Sequence, residues 1–317
     1  MAALLVLSAL LPGAVFGESR IRIPFTIYGV DAGRQFITPR GLCFDKSQDE
    51  ILVADPGNHR VMIFDAEGWP KYEFLHWIER AGERIQGEPG ALAVAPEGNI
   101  FIIDQLSPDL FIVNFRGQTL RIIQPGELCP GSNEVILAPC LAVGPEGHVY
   151  AVCKIFEDHQ LIKLTSTGEV VEQVFLGQPG ELMQVTGLAV DDQRIYISDL
   201  SAVSCVQVFD RQGRRELAFG VHDTGMGNFS FPAAIAVNSD GQIWVVDQIR
   251  QIVNHFDSEG KFLGYLGGQG VGPGSMSYPC AVAVDRTDRV MVLEKVGRRV
   301  QAFDLLRGGD AASKSGA

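Results

Sequence analysis

The chain has 317 residues, 46% hydrophobic and 20% charged, which is too apolar for a disordered polymer and long enough for two ordinary domains or one large closed β architecture. With 38 acidic residues against 26 basic ones its net charge is −12, a field that repels phosphate backbones and anionic lipid and so argues against nucleic acid as a partner. Its 36 glycines exceed the usual ~7% and point to many tight turns between short strands.

Residues Met1–Gly17, MAALLVLSALLPGAVFG, carry no charged side chain. An apolar run ending in small residues reads as a signal peptide, or as an N-terminal anchor if it is not cleaved. At ~1.5 Å per residue, with Pro12 interrupting it, the run is short for a spanning helix. Export to the periplasm, the medium or another extracytoplasmic space is the expectation, and no later stretch is long enough to cross a bilayer. Ile21–Tyr28 follows as a strand without a neighbour in sequence to pair with.

From residue 41 onward a small-large-small-large motif recurs six times: Gly41-Leu42-Cys43-Phe44, Ala91-Leu92-Ala93-Val94, Cys140-Leu141-Ala142-Val143, Gly187-Leu188-Ala189-Val190, Ala234-Ile235-Ala236-Val237 and Ala281-Val282-Ala283-Val284. The large residue falls at 42, 92, 141, 188, 235 and 282, a period of 47 to 50. After each motif come a polar turn and an apolar strand that ends in Asp at 55, 104, 199 and 247. A third strand ends in Phe-Asp at Phe64-Asp65, Phe209-Asp210, Phe256-Asp257 and Phe303-Asp304, and a glycine turn leads to a fourth. Short strands separated by Gly and Asp turns at this spacing predict one four-stranded antiparallel sheet per repeat, and six such sheets arranged radially make a β-propeller with only short, protected edges. The sixth repeat lacks a fourth strand of its own. Ile21–Tyr28, followed by a Gly loop and Pro39 as Phe262–Leu266 is by Pro279, is expected to supply it and close the ring. The propeller then spans 18–307, with a flexible tail over 308–317.

Ile51-Leu52-Val53-Ala54-Asp55-Pro56-Gly57-Asn58-His59-Arg60-Val61 resembles the NHL repeat, and the Gly-rich segment 267–274 resembles a linker between NHL blades. The resemblance covers about residues 21–306 and implies the six-bladed propeller fold. The repeats depart from the pattern at Ser107-Pro108-Asp109, at Cys153 and at Glu294, the last two standing where the strand-ending Asp is expected. NHL-type amidating lyases hold zinc with histidines where the chain enters the inner strands. Here those positions read Thr38-Pro39, Ala138-Pro139, Phe231-Pro232 and Tyr278-Pro279. Gluconolactonase-like propellers hold calcium near the axis with Glu, Asn and Asp, whereas the inner strands here are apolar and small.

The chemistry-bearing residues read mostly as structure. A strand-ending Asp accepts turn N–H groups, and Asp55 is placed to pair with Arg60 across its hairpin. The glycines of 267–274 are followed by neither Lys-Ser/Thr nor a helix and read as a turn rather than a phosphate loop. The six histidines show no metal-ligand spacing. Cys43 and Cys140 occupy the small face of the first strand and read as buried thiols, while Cys153 with Cys205, and Cys129 with Cys140, are weak disulfide candidates. Asn228-Phe229-Ser230 matches a glycosylation acceptor and reads as loop.

Loops joining second to third strands, and loops joining blades, fall on one face of a propeller. That face carries Arg34, Arg60, Arg250, Lys295, Arg298 and Arg299 around blades five, six and one, against five acids; its other loops carry 11 acids against Arg80, Arg84 and Lys154. A dipolar face orients a partner. The long insertion His76–Pro89 is either a short packed helix or a functional loop, with Trp77 as a candidate contact anchor. The expected function is an exported, monomeric, non-catalytic scaffold that binds a protein or peptide through Arg34, Arg60, Trp77, Arg250, Lys295, Arg298 and Arg299, with no cofactor, no metal and no nucleic acid. The alternative is a propeller enzyme of lyase or lactonase type with a diverged metal site.

Overall fold

The computed structural model describes residues 20–31, 33–132 and 134–306; the expected signal segment and C-terminal tail lie outside the described residues. Six antiparallel sheets follow one another along the chain, each pairing its strands in chain order. Blade one, for example, is built from Gly41–Asp45, Glu50–Asp55, Arg60–Asp65 and Pro70–Leu75. The first strands of successive blades touch all the way round, and Pro279–Val284 of blade six meets Gly41–Asp45 of blade one. They therefore line the axis, and the ring is closed.

The core is divided into six slabs, one between each pair of adjacent blades. Strand alternation explains the division, because successive side chains point to opposite sheet faces. In Glu50–Asp55, Ile51 and Val53 pack toward blade six while Leu52 and Ala54 pack toward blade two. Second strands are buried on both faces, so they read as continuous apolar runs. In the first strands the large residue points to the preceding blade and the small one to the following blade: Leu188 joins the slab with blade three, Ala189 the slab with blade five. Close approach at the axis enforces the small face. A Cβ added at Gly187 would lie 2.8 Å from the backbone nitrogen of Ile235 in the next blade.

The outer turns follow one design. Asp65 Oδ1 accepts the N–H groups of Glu67 and Trp69, and Gly68 takes the positive φ (87°) at which the turn closes. Asp210 with Gly213 and Asp257 with Gly260 repeat the arrangement.

Blade six is completed from the N-terminus. Arg20–Arg22 and Thr26–Ile27 both pair antiparallel with Arg299–Leu306. Between the two pairings the N-terminal strand carries one residue more than its partner, at Pro24. Because a one-residue step turns a strand over, Ile21 and Ile23 pack toward blade five, whereas Phe25 and Ile27 pack toward blade one.

The segment after His76 is neither helix nor irregular loop but a hairpin, Trp77–Arg80 with Glu83–Gln86, turning at Ala81 and Gly82, both at positive φ. The six cysteines are free thiols, and neither of the weak disulfide candidates is formed. The thiol that meets Cys153 is Cys129, both lying in the slab between blades two and three.

Candidate interaction face

One end of the ring is formed by the hairpins joining second to third strands together with the loops joining blades. The strand-ending acids tie these two sets of loops together. Asp199 accepts the N–H groups of Met183 and Gln184, which lead into the first strand of its own blade, and those of Ser201 and Ala202 in its hairpin. Asp247 holds Ser230, Phe231 and Arg250 in the same way. Asp55 and Glu294 are fully buried, and each is joined to an arginine five residues on, Arg60 at 3.1 Å and Arg299 at 2.6 Å. Burial pushes both carboxyls above their ordinary pKa, opposed by Asn58, the Ile37 N–H and Arg60 at Asp55, and by Arg299, the Ser277 N–H and Gln301 at Glu294. The acids are thus structural clasps, as their position at strand ends implies.

The arginines proposed for binding are largely engaged within the chain. Arg60 donates to the carbonyls of Arg34 and Gln35 and pairs with Glu73. Arg299 donates to those of Val271, Gly272 and Ser275, and Arg250 to those of Gly225 and Asn228. Arg34 pairs with Asp31 and Glu73. A guanidinium matches several converging carbonyls at once, so these side chains brace the loops between blades. Lys295 and Arg298 are exposed, and neither forms an ion pair among the described residues. Trp77 is half-buried, with the Arg84 guanidinium 4.8 Å above its ring.

Asn228, the acceptor of the glycosylation match, donates to Asp223 at 2.7 Å, and Phe229 beside it is fully buried. Behind the inserted hairpin, buried His76 and Asp104 face each other at 3.4 Å. Among the described residues no three His, Cys, Asp or Glu side chains are grouped as a metal site would require.

What sequence reasoning missed on this face is apolar. Phe156 is 71% exposed, Val203 87%, Ile136 65% and Val296 58%, with Ile249, Met183 and Tyr278 also exposed. Phe156, Val203, Ile249 and Val296 stand in the hairpins of blades three to six, and Ile136, Met183 and Tyr278 where blades three, four and six begin. One residue of the hairpin is left-handed in blades one, three, five and six, at His59, Phe156, Gln251 and Arg298. Glycine or asparagine is at home there, so a phenylalanine is a signal that was legible once the hairpin was located.

Residues 36–64, from the loop before blade one to the end of its third strand, match the NHL repeat. The protein brain tumor of Drosophila melanogaster is 35% identical over 99 residues, 31% of this chain and 9% of that protein. The chain therefore matches only a small part of that relative's length. Among solved structures, a gluconolactonase from Xanthomonas campestris superposes with a TM-score of 0.64 at 15% identity, covering 96% of this chain and 97% of that one. Virginiamycin B lyase from Staphylococcus aureus superposes with 0.57 at 11% identity, covering 87% and 83%. At such identities these structures share the fold alone. Residues 36–64 thus carry an NHL repeat, and the chain folds as a six-bladed β-propeller of four-stranded antiparallel sheets.

Proposed function

We propose that this propeller is a non-catalytic binding platform whose loop face receives a protein or peptide, and that it acts outside the cytoplasm after export. The observation that carries this reading is the set of exposed apolar side chains on hairpins and blade beginnings at one end of the ring. Leaving such groups in water is unfavourable, and their concentration on one face is a mark of protein contact. The acids and most of the arginines of that face hold its loops in place, giving a rigid platform that binds with little ordering cost. The acidic surface disfavours nucleic acid.

A photo-crosslinking residue placed at Val203 or Val296 is expected to give discrete protein adducts in the source's extracytoplasmic fraction. The same group at Gln193, in a turn at the opposite end, is expected to give none. Equal labelling from both ends overturns the reading, and one stoichiometric zinc or calcium found by mass spectrometry would favour the lyase or lactonase alternative. The mature N-terminus, read by mass spectrometry, tests export.

A further inference from the structure

We infer that the quarter of the loop face formed by blades three and four is the docking site for a basic, amphipathic segment of another protein. This rests on the reading of the loop face as a binding platform and adds where on it the partner sits and what chemistry the partner has.

The apolar part is Ile136, Phe156, Met183 and Val203, each at least half exposed. They belong to one bonded framework. Ile136 is the cross-strand partner of Lys154, whose ammonium reaches the Met183 carbonyl at 3.1 Å. The Glu157 carbonyl, next to Phe156, accepts from Gly180 in the loop leading to Met183. The Met183 N–H goes to Asp199, which also holds the N–H of Ala202 beside Val203. The four side chains therefore stand on a braced surface, not on independent loops. Aromatic and methionine side chains of this kind are the usual anchors of contact surfaces.

The charge around them is one-sided. Glu134 and Glu157 are exposed, Asp158 is half-buried, and none of the three forms an ion pair among the described residues. Segments 124–134, 153–158, 176–184 and 200–205 contain a single basic residue, Lys154, already bonded to Met183. His159 behind them is buried, and burial lowers its pKa, keeping it neutral. Apolar side chains rimmed by unpaired carboxylates select a partner with apolar residues flanked by lysine or arginine. The same carboxylates oppose an anionic membrane surface. Blades five and six carry the opposite combination, Ile249 and Val296 beside Lys295 and Arg298, and so provide an internal control.

The test is fluorescence anisotropy of the full chain with a labelled peptide of lysine and leucine spaced to form a one-sided helix, and with its glutamate-for-lysine counterpart, at physiological salt. The lysine peptide is expected to bind saturably and the glutamate peptide not to bind. Phe156→Ser and Val203→Ser, which leave charge unchanged, are expected to weaken binding about tenfold each, and Glu157→Lys to weaken it as well. Ile249→Ser and Val296→Ser are expected to leave it unchanged. Thermal melts of each variant confirm an intact fold. Failure of the lysine peptide to bind overturns the inference. So does binding that ignores Phe156→Ser and Val203→Ser, which would be attraction to net charge alone. If Ile249→Ser and Val296→Ser weaken it instead, the loop face stands as the platform and its placement on blades three and four falls. If all four variants bind like the parent, both readings fall.

Discussion

Arg60 and Lys295 look alike in sequence, both basic residues on loops of one face, yet their surroundings divide them. Arg60 is 7% exposed and is the cation beside the buried Asp55. Arg60→Met leaves that carboxylate without its counter-charge and is expected to cost about 3–5 kcal/mol, the usual penalty for breaking a buried pair. Lys295→Ala is expected to stay within about 0.5 kcal/mol, and chemical denaturation of the two variants checks the contrast. Asp55 with Arg60 was legible because a strand-ending Asp and an Arg five residues on face each other across a hairpin. The involvement of Arg250 was not, since its partners are carbonyls of a loop more than twenty residues away. His255 provides a second residue-scale prediction. It is buried and stacked 3.8 Å from Trp244, and burial lowers its pKa to about 4. Because the unfolded state takes up the proton first, near pH 6.5, the stability that the neutral ring supplies is complete above that pH and is lost as the pH falls toward 4. The Tm is expected to drop across that window, and more gently in His255→Phe. Asp55 and Glu294, with raised pKa values, act in the opposite sense, so the difference between parent and variant isolates the histidine.

Among the elements, the closing strand carries the most consequence for its length. In eight residues it sends Ile21 and Ile23 to one side of blade six and Phe25 and Ile27 to the other, all four buried. Phe25→Ala is expected to cost about 3–5 kcal/mol. A chain beginning at Thr38 loses all four side chains and the outer pairing of blade six, and should melt at a markedly lower temperature; equal melting would contradict closure by this strand. Its existence and place followed from counting strands, because the sixth repeat was one short. Its turnover at Pro24 did not, since a one-residue step leaves no mark on apolar spacing that a single strand pattern would reveal. The inserted hairpin escaped for a related reason. Trp77–Gln86 is short, charged and half exposed, and its Trp77-Ile78-Glu79-Arg80 run has no two-residue alternation to mark a strand.

For the whole molecule, the six-fold period made the architecture readable, because each blade must bury both faces and so repeats the same apolar code. The candidate contact surface was harder to read, for it lies where the repeats differ. Blade three has Cys153 in place of the acid, its first strand runs nine residues from Val135 to Val143, and its hairpin shrinks to Phe156-Glu157. Slabs of similar apolar content set the frame, and the repeats depart from one another at one end of it. Closure of the frame also decides how it is held. Arg20 and Leu306 are paired at the end of the outer strand that lies away from the loop face. A tether attached through residue 20, or through residue 306, grips the ring at its rear rim beside blade six. A protein held to any support by either point turns its apolar quarter outward, and two tethers, one from each terminus, would leave side by side and pull on the same strand pair, opening it one bond at a time before any other blade feels the force.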